Sequence, residues 1–152
     1  MLTVRAAHAD DRAFVHSLIE RFLGTAPHWR TDEELISATE REFARAFDTK
    51  SESEIMLICE NAGGERLGFA WVVRDKDFFT GDSHAHVSEI AVTQDGAGAG
   101  RALMEAAEKW AIERGDRYIS LNVQARNVEA HGFYLHLGYS VEKVGYAKPL
   151  PT

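Results

Sequence analysis

The hydrophobic pattern changes period twice between Ser83 and Val123, and this double change constrains the fold more than any other feature of the chain. Ser83–Val92 reads as a strand. Leu103, Ala106, Ala107 and Trp110 then recur at helical spacing from about Gly98 to Arg114, and Gly115 stops the helix. Ile119, Leu121 and Val123 alternate on one face of a further strand over Tyr118–Val123. A strand, a helix and a strand in direct succession make a parallel crossover. Upstream, Ile55–Cys59 and Leu67–Val73 are rich in branched and aromatic residues and flank Asn61-Ala62-Gly63-Gly64, which reads as a hairpin. One chain thus demands both antiparallel and parallel pairing.

The remaining segments fit around that sheet. Leu2, Val4 and Ala6 alternate in a short first strand. From Asp10, Phe14, Leu18 and Phe22 form a helical stripe that ends at Gly24. Thr31 and Glu34 have capping-box spacing and open a second helix carrying Ile36, Phe43 and Phe47. Asn127–Leu137 reads as a short helix closed by Gly138, followed by strands at Tyr139–Val144 and Tyr146–Leu150. The order is β-α-α-β-β-β-α-β-α-β, with a last short strand. The expected fold is α/β (α+β): a mixed, mostly antiparallel sheet of six or seven strands, helices on both faces, in one domain over residues 1–152.

Composition removes several functional classes. A chain of 152 residues with 45% hydrophobic and 27% charged residues buries a core without staples. No apolar run approaches the roughly 18 residues of a membrane helix, and Met1–Arg5 lacks the basic-then-apolar pattern of a secretion signal, so a cytoplasmic chain is expected. A net charge of −7 argues against nucleic acid as a partner. Cys59 is the sole cysteine, which excludes an internal disulfide and a thiolate cluster. His84-x-His86 has no third ligand in sequence, so no metal site is expected.

Chemistry concentrates in two stretches. Gly96-Ala97-Gly98-Ala99-Gly100-Arg101 lies between a strand and a helix, where alternate glycines let successive N–H groups converge on an anion at the positive end of the helix; a flexible turn of small residues is the alternative. A dinucleotide fingerprint is excluded because Leu103 stands where its third glycine belongs. A Walker-type loop is excluded because Arg101-Ala102 replaces its Lys-Ser/Thr. The second stretch runs from Leu121 to Tyr139. Its Asn127, Ala130, Phe133, Tyr134, Leu137, Gly138 and Tyr139 fit the pattern Asn-x-x-Ala-x-x-Phe-Tyr-x-x-Leu-Gly-Tyr.

Together these stretches resemble the acyl-CoA-dependent N-acetyltransferase superfamily, the GCN5-related (GNAT) family. The resemblance is sharpest from about Glu89 to Tyr139. It implies acetyl-CoA as co-substrate, its pyrophosphate on the N–H groups of Gly96, Ala97, Gly98, Ala99, Gly100 and Arg101. The pantetheine arm would run along Ile90, Ala91 and Val92, in a splay between the fourth and fifth strands, with Asn127 either bonding that arm or capping its own helix. Two departures stand out. Asp95 replaces the usual Arg or Gln at the head of the glycine motif, and the connection is about two residues short.

By the same resemblance Tyr134 is the general acid that protonates the coenzyme A sulfur; packing as a core tyrosine is the alternative. Glu89 stands where some members carry a catalytic base, acting through water; a strand residue facing a solvent cleft is the alternative. In a regular strand His84 and His86 face away from Glu89. The acceptor, a small-molecule or peptide amine, would meet His28, Trp29 and Arg30. Apolar residues near the C-terminal strands would permit a homodimer. Two functions compete: direct acetyl transfer to a primary amine, and a non-catalytic acyl-CoA-binding sensor or scaffold.

Overall fold

The computed structural model describes residues 1–152. Five strands form one sheet in the order β1-β2-β3-β4-β5: Thr3–Ala6, Glu54–Glu60, Arg66–Lys76, Ser83–Val92 and Ile119–Leu121. Neighbours from β1 to β4 pair antiparallel, and β4 pairs parallel with β5. The helices are α1 (Arg12–Ser17), α2 (Asp32–Asp48), α3 (Ala99–Glu113) and α4 (Val128–His136). The mixed sheet follows the expectation, and β4 has the expected limits.

Each face of the sheet carries its own core. Leu57, Cys59, Ala70, Val72, Ala85 and Val87 pack on one side against Leu103, Met104, Ala107 and Trp110 of α3. On the other side Ile58, Phe69, Trp71 and Ala91 meet Val15, Leu18, Ile19 and Phe43. Phe43 is the hub of that second core, with Phe22, Phe69, Trp71 and His16 edge-on around it. Cys59 is fully buried, and burial pushes its thiol up.

Three expectations about elements are corrected. The stripe from Asp10 to Phe22 is not one helix: α1 is flanked by 3-10 turns at Ala9–Asp11 and Ile19–Phe22. The Ser17 hydroxyl donates back to the Phe14 carbonyl at 2.6 Å, and the Leu18 N–H reaches Val15 at 3.1 Å, which tightens the turn. The sheet has five strands, not six or seven. Residues 140–152 make no backbone hydrogen bond, so Tyr139–Val144 and Tyr146–Leu150 have strand-forming residues but no ladder to join. β5 is also shorter than expected, at three residues.

The sequence gives no hint of the clamp at the N-terminal edge. Asp11 is wholly buried, accepts two bonds from Arg5 (2.8 and 3.0 Å) and one from Arg66 (2.7 Å), and takes the His8 N–H. Burial alone would raise its pKa, but these donors outweigh it and hold the carboxyl well below the usual range. The clamp ties β1, β3 and the entry to α1 into one corner.

Candidate active site

A bulge in β4 organises the site. Val87 pairs with Val72 and Glu89 with the adjacent Trp71, leaving Ser88 as the extra residue. Two consequences follow. Parallel pairing with β5 covers only Ala85–Val87 against Ile119–Leu121, so the strands part at the bulge and Ser88–Val92 keeps one edge free. This is the expected splay between the fourth and fifth strands. The bulge also shifts the alternation by one. Glu89 opposes Trp71 and His86 opposes Val73, and Trp71 and Val73 share the α1/α2 face. His84 and His86 therefore lie on the same face as Glu89, which corrects the reading drawn from a regular strand.

Glu89 is half-buried, has no hydrogen-bond partner in the chain, and burial pushes its carboxyl up to about 7. Tyr134 approaches from the opposite side. It is buried in the α3-side core, edge-on to Phe133 (5.1 Å) and Tyr139 (5.8 Å), and its hydroxyl bonds to no protein group. Burial, and then the charge of Glu89, push the phenol up to about 12, so it is a hydroxyl at neutral pH. A carboxyl on one face thus senses a phenol on the other. Glu89 lies on the part of β4 beyond the bulge, where the edge facing β5 is free.

The glycine loop meets that opening. No backbone N–H from Gln94 to Arg101 donates to any group in the chain, and the first three residues of α3 have the helix-start donors that no internal carbonyl can satisfy. Gly96 and Gly98 take φ of +81° and +87°, left-handed values that only glycine adopts without strain. Gly100 serves another purpose: a Cβ there would lie 3.1 Å from Phe133 Cζ, so its bare backbone lets α3 approach α4. Ala99 is buried against the same core, whereas Ala97 is exposed. Asp95 is paired with Arg21 at 3.1 Å, so its charge is compensated beside the N–H run. Arg101 is exposed and lies 3.9 Å from Glu105.

Ile90, Ala91 and Val92 form the free edge of β4 beyond the bulge. Asn127 caps α4, its side chain accepting the Ala130 N–H at 3.2 Å. His28, Trp29 and Arg30 sit together on the exposed loop before α2, His28 edge-on to Trp29 at 5.2 Å. Sequence reasoning passed over Ser120. It lies between the imidazoles of His84 (3.0 Å) and His86 (2.8 Å), and His84 stacks on Tyr118 at 4.2 Å. The signal was present: if Ile119 and Leu121 face one way, Ser120 faces the other, toward the β4 histidines.

Comparison with known proteins places this geometry in a family. The acetyltransferase (GNAT) family matches residues 12–139. An aminoglycoside N(6')-acetyltransferase type 1 from Stenotrophomonas maltophilia is 29% identical over 102 residues, 63% of this chain and 66% of that protein. Among solved structures, a transcriptional regulator from Bacillus halodurans C-125 superposes with a TM-score of 0.77 at 21% identity, covering 99% of this chain and 100% of its own. AAC(6')-Iy in complex with the bisubstrate analogue CoA-S-monomethyl-acetylneamine superposes at 0.72 with 15% identity, covering 99% of both chains. The chain belongs to the acetyltransferase (GNAT) family.

Proposed function

We propose that residues 1–152 form one N-acetyltransferase domain that moves the acetyl group of acetyl-CoA to a primary amine by direct attack. The observation that carries this reading is the pair Glu89 and Tyr134, one from each face of the sheet, at the opening where β4 leaves β5. Acetyl transfer needs a base for the ammonium proton, a fixed carbonyl, and an acid for the departing sulfur. Glu89, poised near neutrality, takes a proton from the amine through water. Tyr134, neutral and without a protein partner, gives a proton or hydrogen bond to the thiolate. The free edge at Ile90–Val92 suits pantetheine amides. The N–H groups of Gly96–Arg101 suit the pyrophosphate, with the Arg101 charge alongside and Asn127 fixing the start of α4 next to the arm.

Membership of this family, and a neighbouring structure that holds a coenzyme A analogue, support acetyl-CoA as co-substrate. The Asp95–Arg21 pair offsets the carboxylate charge beside the N–H run, which supports coenzyme A binding there. The acceptor is a small-molecule or peptide amine that approaches over the loop bearing His28, Trp29 and Arg30. A homodimer is the natural use of Val141, Val144, Tyr146 and Leu150, exposed on a segment without ladder partners. No helix is long and apolar enough to cross a membrane, in keeping with a cytoplasmic setting.

A thiol-release screen with acetyl-CoA and a broad amine panel tests the reading. Free coenzyme A should appear with at least one amine, and Tyr134→Phe should lower kcat by about 100-fold with coenzyme A affinity nearly constant. Thiol release by no amine, or a Tyr134→Phe enzyme at full speed, rejects it.

A further inference from the structure

Ser120 poses a question of proton bookkeeping. Its oxygen lies 2.8 Å from His86 Nδ1 and 3.0 Å from His84 Nε2, and the hydroxyl owns one proton. It can donate to only one ring, so the other must donate to it. His84 decides which. Its ring is almost wholly buried, and its Nδ1 is enclosed with no partner. A proton on Nδ1 would leave a buried N–H unsatisfied, whereas a proton on Nε2 leaves only a bare lone pair, the cheaper orphan. His84 therefore donates from Nε2 to Ser120. The Ser120 proton then points to His86 Nδ1, and any other assignment leaves that hydroxyl without an acceptor. A neutral His86 accepting at Nδ1 carries its own proton on Nε2. That nitrogen has no partner in the chain and is not enclosed, so it reaches solvent on the face it shares with Glu89.

We propose that His84 and Ser120 lock His86 as its Nε2–H tautomer, making His86 a hydrogen-bond donor that selects amine acceptors bearing an oxygen lone pair. This rests on the acetyltransferase reading and deepens it. In this state His86 has no free lone pair toward the cleft and does not receive the amine proton; Glu89 keeps that role. The two residues oppose Val73 and Trp71, two strand positions apart, or roughly 7 Å. An acceptor that places its amine at Glu89 therefore offers its oxygen to His86 on the flank away from the thioester. Asp75, His84 and Lys143 are the charged or titratable groups bearing on the ring; burial, joined by His84 and Lys143, favours its neutral form, and Asp75 alone opposes it. His84 and Ser120 are positioning residues, since they act only through His86.

The test has a spectroscopic arm and a kinetic arm, both on the full chain. Long-range 1H–15N correlation spectra near pH 8 should show His86 protonated at Nε2 and bare at Nδ1, and Ser120→Ala should shift it toward a mixture of tautomers. Turnover of 5-aminopentanol should be compared with that of hexylamine, its oxygen-free counterpart. Wild type should favour the amino alcohol through KM. Ser120→Ala and His86→Leu should each cut that preference by about 3- to 10-fold, the worth of one hydrogen bond, while His86→Gln, which keeps an N–H donor, should retain most of it. A proton found on Nδ1 of His86, a tautomer indifferent to Ser120→Ala, or a wild-type preference for the amino alcohol that is absent or survives undiminished in His86→Leu overturns the proposal. If neither amine turns over, the broad amine panel decides the acetyltransferase reading, the preference is read on an amine and its oxygen-free counterpart that the panel shows to react, and the spectra decide the tautomer.

Discussion

The two faces of the sheet are built to different standards. The α3 face is dry: its core is apolar apart from the hydroxyl of Tyr134, and it encloses no unpaired polar atom. The α1/α2 face holds all the enclosed, unpaired side-chain polar atoms of the chain. These are His16 Nε2, Glu54 Oε1, Trp71 Nε1 and His84 Nδ1, and Glu89 shares their side of the sheet. Each such atom costs stability, and a fold that tolerates several on one side concentrates its polar function there. The α3 face is dry but for the Tyr134 hydroxyl, and the polar side chains gather on the other.

Substitutions at Glu89 and Leu103 probe this contrast most strongly. Glu89→Gln should lower kcat by about 100- to 1,000-fold, because the base is lost while the shape is kept. The wild-type rate should rise with pH toward about 7, as the carboxyl held up by burial gives up its proton, and then level off. The Gln variant should lose that limb. Stability should move the other way. A carboxyl with a raised folded pKa binds more protons folded than unfolded between its ordinary value and about 7, so wild type loses stability as pH climbs through that window. At pH 8 Glu89→Gln should therefore melt higher than wild type by a few degrees. Leu103→Ala, on the dry face, should cost about 2–5 kcal/mol in denaturant unfolding. A Glu89→Gln protein that melts lower than wild type at pH 8 would break the contrast.

How much of this was legible beforehand depends on how local the cause is. The capping box at Thr31 and Glu34 formed as read, because its partners are three residues apart: the Thr31 hydroxyl takes the Glu34 N–H at 3.1 Å and Glu34 returns the bond at 2.9 Å. The parallel β4–β5 unit was legible from period. The bulge was not. Nothing in Val87-Ser88-Glu89 announces it, since it arises from the register against β3, and it decides which face the histidines share. The Asp11 clamp is equally hidden, its donors lying at Arg5 and Arg66. The C-terminal strands failed for the same reason in reverse, because strand-forming residues do not supply an edge to pair with.

Gly98 sharpens the comparison at the loop where the faces meet. A side chain at φ +87° meets little nearby, with Leu2 Cδ1 at 3.5 Å, so its cost is conformational. Gly98→Ala should destabilise the fold by about 1–2 kcal/mol and weaken coenzyme A binding by about tenfold in calorimetry, as the N–H groups turn off target. Gly100→Ala should instead act through Phe133, with a smaller effect on coenzyme A and a larger one on the packing of α4.

The smallest expected effect tests why an acidic residue is tolerated at the mouth of the proposed anion site. Arg21 and Asp95 are both exposed, so their ion pair adds little to stability, about 0–1 kcal/mol. Its value lies in the potential near the N–H run. Arg21→Ala should leave the melting temperature within a degree or two yet weaken coenzyme A binding about two- to fivefold at low salt, with the loss shrinking as salt screens the bared carboxylate. Adding Asp95→Asn to Arg21→Ala should restore affinity to the wild-type level or better, because the repulsive charge is then gone. If the double variant binds no better than Arg21→Ala alone, Arg21 acts on the diphosphate directly and not by neutralising Asp95.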